Sequence, residues 1–310
     1  MRRLTRSAAA LGIAFVLGAG TALADWRHDM KVLRIGFLST GNAAGEMARL
    51  EPFRAWLEGR IALPVELVPS NSYAGLIDAE VSGRVQYAID SATSFASAEA
   101  MCSCVEALAV PTAFDGSRGF YALLLSRADG PIHTLADAKG TRLAVTAEDS
   151  LAGRLVPLKG LATEGIDAAT YFSATFTAAS PEAAITALSS GAADVAVGWS
   201  SLAGDPAAGY SFGVLATMVA GGRLSMDQVR VIWQSPLIPF GPHSVRKDMA
   251  PELKTLLIDS LEALSGEAPD ILDAVDRSAF GGGGFVPAKS GDYAVVEELV
   301  APQSPAPPAK

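Results

Sequence analysis

Residues 143–161 read LAVTAEDSLAGRLVPLKGL. Leu143 to Val145 is a short apolar run. Glu148, Asp149 and Ser150 make a sharp polar turn, and from Leu151 the apolar residues recur at helical spacing. A strand, a turn and a helix in that order are the repeating unit of an α/β chain. Ser150 stands where an N-cap belongs, with a side-chain oxygen that can accept from an N–H of the first turn. A helix N-terminus also offers unpaired N–H groups and the positive end of the dipole, so this turn can hold an anion. Two roles stay open for Ser150: it meets a ligand, or it only caps its own helix.

The same unit recurs on both sides. Upstream, VLRIGFL (32–38) is a strand, and residues 44–58 form a helix with Met47, Leu50, Phe53, Trp56 and Leu57 on one face. PVELVP is a second strand, Tyr73 to Val81 a helix stopped near Gly83, VQYAI (85–89) a strand and Ala92 to Met101 a helix. CVEALAV is a further strand ending at Pro111. A second series starts near Gly119. It contains FYALLLSR, a short helical turn and strand in LADAKGTRLAVT, the helix after Ser150, TYFSATF, a helix from Pro181 to Ser190, ADVAVG, and strands at 212–218 and 229–233. Two turn-rich breaks, PTAFDGSRG and QSPLIPFGPHS, frame this series. Helices follow at Pro251–Leu264, Pro269–Ser278 and 292–299. FGGGGF (280–285) has no strand–turn–helix context and reads as a flexible loop, not a phosphate cradle. Residues 301–310, APQSPAPPAK, read as a disordered tail. This order predicts two lobes, 32–111 plus 237–300 and 119–233, with two chain crossings and a ligand between them on which they close by hinge motion.

The N-terminus carries Arg2, Arg3 and Arg6, an apolar run from Ala8 to Gly20, and the small-x-small site Ala22-Leu23-Ala24. This is the pattern of a signal peptide at 1–24, cleaved after Ala24, which places the mature chain in the periplasm. The apolar run is short of the ~20 residues that span a bilayer. The net charge of −9 moves to about −12 once the three arginines leave. Such an acidic chain repels nucleic acid and anionic membrane surfaces. The only cysteines are Cys102 and Cys104; a local disulfide and two packed thiols are both open, and two ligands are too few for a zinc site. His28, His133 and His243 are scattered and read as surface residues. GWSSL lacks the last glycine of a nucleophile elbow. With no nucleophile–base pair and no metal cluster, the reading is a binding protein without cofactor and not an enzyme.

Several stretches recur in one order: LRIGF, SYAGLIDAEVSGRV, YAIDSATSF, PIHTLADAKGTRLAV, EDSLAGRLVPLKGLATEGID followed by YF, EAAITALSSGAADVAVG, VRVIWQSPLIP, VRKDMAPELK and GFVPAKSGDY. The set resembles the phosphonate-binding type of periplasmic substrate-binding proteins of phosphate/phosphite/phosphonate ABC transporters, from about Leu33 to Val300. The resemblance implies an α/β, two-lobe periplasmic binding protein fold of type II, with mixed sheets flanked by helices and a hinge between lobes. It also implies an oxyanion ligand and delivery to an ABC permease in the inner membrane. In that family the turn after the strand carries consecutive hydroxyls, roughly Ser-Thr-Ser-Gly. Here it is Ser150-Leu151-Ala152-Gly153, so Ser150 carries over while Leu151 and Ala152 offer only backbone N–H groups. The tyrosine that donates to the phosphonate matches Tyr73. The aromatic after the third strand matches Phe95, which has no hydroxyl. The family histidine falls at Pro181, and the acid that pairs with a ligand amine falls near Trp199.

The residues themselves add further candidates. Ser39 and Thr40 end the first strand, where ligands sit in open α/β sheets, and Thr93 and Ser94 have a similar place. Trp199 and Phe95 either wall the cleft, which suits an organic ligand, or fill the core. Arg154 faces the cleft or the solvent. The expected protein is a monomer that takes a small anionic molecule to a permease and binds no nucleic acid. A sensor of the same fold that presents its ligand to a membrane signalling protein is the alternative, and an enzyme on this fold is the third.

Overall fold

The computed structural model describes residues 26–39, 41–276 and 282–300. The signal peptide expected at 1–24, Thr40, the start of the glycine run and the tail expected from 301 lie outside the described residues, as does the side chain of His28.

The chain runs α1 (Trp26–Asp29), β1 (Leu33–Leu38), α2 (Ala43–Ile61), β2 (Val65–Ser70), α3 (Tyr73–Val81), β3 (Tyr87–Ile89), α4 (Ala92–Cys102) and β4 (Val105–Ala113). It continues through β5 (Gly119–Arg127), β6 (Arg142–Val145), a π-helical turn (Leu151–Leu155) running into α5 (Val156–Thr163), α6 (Ala168–Tyr171), β7 (Ala174–Thr177), α7 (Pro181–Ser189) and β8 (Val195–Ser200). Then come α8 (Val214–Ala220), β9 (Val229–Gln234), β10 (Ile238–Pro239), β11 (His243–Arg246), α9 (Pro251–Glu267), α10 (Pro269–Val275), β12 (Gly282–Pro287) and α11 (Ala294–Val300).

Among the described residues these strands form two sheets. The first has the order β12-β4-β11-β3-β1-β2; the second is β10-β5-β8-β6-β7, with β9 also on β5. Both are mixed. β1 pairs in parallel with β2 and β3, whereas β11 and β12 run antiparallel to their neighbours. β6 is parallel to β7 and β8, and β5 is antiparallel to β8, β9 and β10. LRIGFL forms β1 with Leu33, Ile35 and Phe37 buried on one face and Gly36 and Leu38 on the other, where Arg34 pairs with Glu66 of β2. In α2, Leu50, Phe53, Leu57 and Ile61 repeat at helical spacing and are buried, each side chain contributing about 1.5–3 kcal/mol by leaving water. They share a core with Leu253, Leu257 and Leu261 of α9. A second core holds the apolar residues of β5, β6 and β8 together with Phe95, Tyr293 and Val296. Among the described residues no helix is long and apolar enough to cross a membrane.

Four expectations need correction. Residues 212–218 are not a strand: Val214 to Ala220 is a helix that buries Val214, Leu215 and Met218, because a short apolar run fits either period until its partners decide. The glycine run is not a loop from end to end: Gly282 to Pro287 pairs with β4, with a register shift between Gly282 and Gly284. The second break hides β11, which inserts between β3 and β4. His243, read as a surface residue, is buried on that strand. Its Nδ1 meets the Tyr87 hydroxyl, its Nε2 lies 3.3 Å from the Val275 carbonyl, and its ring packs edge-on against Phe285.

The lobe boundaries also differ from the pairing. Ile238 and Pro239, placed with the first lobe, pair with Phe120 and Gly119 in the second sheet. α11 packs on α4 and also reaches α5, so it touches helices associated with both sheets. Cys102 and Cys104 form a disulfide, which resolves the alternative left by the sequence.

Candidate functional site

A cleft of about 460 Å³ is lined by residues from the elements of both sheets. Tyr73, at the start of α3, and Asp90, Ser91, Ala92 and Thr93, in the β3–α4 turn, line one wall. Phe120 of β5, Leu151 and Ala152 of the π-helical turn, and Trp199 of β8 line the other, with Pro239, Phe240 and Gly241 on the crossing between β10 and β11.

The turn at 150–153 is built by local hydrogen bonds. The Ser150 hydroxyl accepts from Gly153 N at 3.2 Å, and the Ser150 carbonyl accepts from Arg154 N at 3.0 Å and from Leu155 N at 2.9 Å. The last of these spans five residues and makes the first turn π-helical, a wider coil often found at functional sites. Gly153 is required: a Cβ there would run into the Thr146 and Ser150 side chains, and its carbonyl accepts from Thr146 N at 3.0 Å. Leu151 and Ala152 are the first residues of the helix, so their N–H groups have no intrahelical carbonyl to reach. Ser150 and Gly153 stand behind these two residues and do not line the cleft. The Thr146 hydroxyl beside them is buried without a hydrogen-bond partner.

The facing turn is closed on itself. Ser91 accepts from Ser94 N at 3.0 Å, and the Ser94 hydroxyl accepts from Ser91 N at 2.8 Å, a reciprocal capping box. The Ser94 hydroxyl also donates to Asp90 Oδ1 at 2.7 Å, and the Ser244 hydroxyl donates to Asp90 Oδ2 at 2.7 Å. Ser244 lies 3.1 Å from Glu80 Oε1 as well. Burial, with the Asp90 charge beside it, pushes the Glu80 carboxyl up to about 10. Gly241 closes this wall, since a Cβ there would overlap the Asp90 carbonyl and the Ser91 backbone.

The structure brings together Tyr73, Thr93, Leu151, Ala152 and Trp199 and separates the other candidates. Phe95 is fully buried against Tyr293, with ring centroids 4.9 Å apart, and does not wall the cleft. Ser94 is buried and committed to its cap and to Asp90. Ser39 lies in a separate hollow with Ser70, Asn71 and Arg84. Arg154 turns away from the cleft toward the Thr146 carbonyl at 3.5 Å and Thr177 Oγ1 at 3.3 Å. Trp199 packs edge-on against Phe120, centroids 5.4 Å apart, and both border the cleft.

Sequence reasoning missed Asp90, Ser91 and Phe120 and the crossing residues Pro239–Gly241. Asp90 and Ser91 had a signal, because they follow directly on the carboxyl end of a strand in the run DSATS. Pro239 to Gly241 had none, since their place depends on β10 pairing with β5. No lysine, arginine or histidine is among the described residues that line the cleft, and Asp90 is the one carboxylate there. Among the described residues no cluster of three or more potential metal ligands occurs.

Two mixed sheets with a ligand-sized cleft between them define a type II periplasmic binding protein. Residues 35–293 match the family described as ABC transporter, phosphonate, periplasmic substrate-binding protein, and the chain belongs to it. It is 26% identical over 279 residues to the phosphate-import protein PhnD of Mycolicibacterium smegmatis, covering 85% of this chain and 83% of that one. It is 25% identical over 249 residues to the phosphonates-binding periplasmic protein of Escherichia coli, covering 79% and 70%. Among solved structures it is similar to XAC2383 from Xanthomonas citri bound to ATP, with a TM-score of 0.57 at 20% identity over 88% of this chain and 96% of that one.

Proposed function

We propose that this chain is the periplasmic receptor of an ABC importer and that its cleft takes a small organic oxyanion. The oxyanion head sits on the N–H groups of Leu151 and Ala152, backed by the Ser150 cap, with Tyr73 and Thr93 as hydroxyl partners from the facing wall. The organic part lies against Phe120, Trp199 and Phe240. The two sheets with their helices act as lobes that close by bending at residues 114–118 and 240–242, and the closed form, a monomer, docks on an inner-membrane permease. The leader at 1–24 exports it.

The observation that carries this reading is the pairing, in one cleft, of free helix-start amides with aromatic side chains and no cationic side chain. Amides and hydroxyls suit an anion of modest charge, and rings suit a substituent. A ligand ammonium would lack a partner. Trp199 stands near the place of the family's amine-binding acid, and Asp90 has both oxygens taken by hydroxyl donors.

Calorimetry and thermal shift with alkyl- and arylphosphonates, alkylsulfonates, inorganic phosphate and 2-aminoethylphosphonate test this. The alkyl- or arylphosphonates are expected to bind tightest and 2-aminoethylphosphonate weakly or not at all. A binder at 100-fold above its Kd stabilises by roughly 2.7 kcal/mol. Tightest binding of inorganic phosphate, nanomolar binding of 2-aminoethylphosphonate, or no binding of any oxyanion would overturn the reading.

A further inference from the structure

The Cys102–Cys104 disulfide sits at the far end of the helix whose first turn lines the cleft, and ligand binding makes no use of it. Only Ser103 separates the two cysteines. A ring this small removes little entropy from the unfolded chain. Its ends are fixed already, Cys102 by the last turn of α4 and Cys104 by the start of β4. Between them Ser103 takes φ 50, a left-handed conformation that a residue with a Cβ seldom adopts. As a staple, this disulfide does very little.

Its surroundings suit chemistry instead. Both cysteines are half-buried, with Met101 and Ser103 beside them exposed, at the surface end of the helix. Arg246 Nη1 stands 3.6 Å from Cys104 Sγ. That guanidinium is held in place: Nη1 donates to the Glu80 carbonyl at 3.0 Å, and Nε and Nη2 each donate to the Asp248 carboxylate at 3.1 Å. Cys104 N lies 3.2 Å from Cys102 Sγ, and Lys247 Nζ donates to the Ser103 carbonyl at 2.9 Å. A cation beside a sulfur lowers the energy of its thiolate, and accessible, strained disulfides are the ones that exchange readily.

We propose that Cys102–Cys104 is a redox site that exchanges with a dithiol while the protein stays folded. The thiolate of the dithiol attacks Cys102 Sγ and forms a mixed disulfide. The Cys102–Cys104 bond breaks, and its electron pair leaves on Cys104 as a thiolate facing Arg246. The second thiol of the dithiol, deprotonated, then attacks its own sulfur in the mixed disulfide and releases Cys102. The dithiol is oxidised to a disulfide by two electrons, the chain gains two thiols, and the protons pass through solvent. The asymmetry is specific: Cys102 is the sulfur attacked and Cys104 the one that leaves.

The test uses the oxidised, folded chain with dithiothreitol as the dithiol at pH 7. Thiols are trapped by N-ethylmaleimide and counted by mass spectrometry, with near-ultraviolet circular dichroism recorded in parallel. The expected result is two labels per chain with the spectrum unchanged, and reduction a few-fold slower in Arg246→Gln, because a one-unit rise in the pKa of the leaving thiol is felt only in part in the transition state. Arg246 also holds the Glu80 carbonyl, so a second measurement guards against a folding defect. In Cys102→Ser, which keeps Arg246, the Cys104 thiol should react with iodoacetamide at pH 7 about threefold faster than a cysteine in a short peptide. Labels that appear only when denaturant unfolds the chain, or a Cys104 that reacts no faster than the peptide, would sink the proposal.

Discussion

The two walls of the cleft begin with the same local device. Each is a strand, a serine N-cap and a helix: β3, Ser91 and α4 on one side, β6, Ser150 and the π-helical turn on the other. On the first wall every hydroxyl of the cap is used. Ser91 and Ser94 satisfy each other, Ser94 and Ser244 hold Asp90, and the neutral Glu80 lies behind. On the second wall the cap satisfies only Gly153, and Leu151 and Ala152, whose N–H groups have no intrahelical carbonyl to reach, line the cleft. A serine at a helix start therefore does not define an anion site. What distinguishes the walls is whether the donors around the serine are already taken: an acid precedes both serines, but only Asp90 is held by the hydroxyls of its own cap and of Ser244.

The largest effect that sharpens this contrast lies behind the first wall. Glu80 keeps its proton in the folded chain up to about pH 10 but loses it above pH 4.5 when unfolded. The unfolded state thus binds fewer protons between those values, and the stability Glu80 contributes is full below pH 4.5 and falls as the pH rises toward 10. Glu80→Gln should remove that decline and gain on the wild type by as much as about 1.4 kcal/mol per pH unit between pH 5 and 9. Urea unfolding at several pH values measures it; equal pH slopes for the two proteins would mean that Glu80 is not held neutral.

Next comes the second wall. Ser150→Ala should cost about 1 kcal/mol of stability as a lost cap. If the turn also meets a charged ligand, affinity should fall by about 1.5–3 kcal/mol, roughly tenfold to a hundredfold in Kd. Melting temperature and calorimetric Kd separate the two, and a melting loss with affinity held within about twofold would make Ser150 only a cap. Leu151→Pro removes the amide, together with the part of the Leu151 side chain that packs on the second core. Proline is tolerated at the first helical position, and Ser150, at φ −72 and ψ 114, suits a following proline. Binding should weaken about tenfold with stability changed by less than about 1 kcal/mol, reflecting one lost donor to an anion. The smallest effect is Tyr73→Phe. Tyr73 is 51% exposed, so its hydroxyl should contribute only about 0.5–1.5 kcal/mol, a few-fold in Kd by the same titration, with no change in melting.

Much of the fold was legible because the strands and helices up to β8 are separated by capping serines, glycines and periodic apolar residues. The site was legible where local chemistry fixes it, as at Leu151 and Ala152, or where the family resemblance pointed, as at Tyr73. Phe95 shows the limit. An aromatic after a strand fits a cleft wall or a core equally well, and it is the arrival of Tyr293 from the far end of the chain that buries it. His243 reads as a turn residue until β11 inserts between two strands that precede it by well over a hundred residues. Residues 212–218 read as a strand until the buried face of the helix Val214–Ala220 is known.

By itself the sequence determined an acidic α/β chain with a helix-start turn at Ser150 and a C-x-C pair, because charge, periodicity and caps act between residues close in the chain. Tertiary structure alone decided that β10 joins the second sheet and carries Pro239, Phe240 and Gly241 to the cleft. It also set Asp90 and Glu80 together beneath one wall, and Arg246 beside Cys104. Those placements depend on pairing and desolvation between segments far apart in sequence, which a local pattern does not encode.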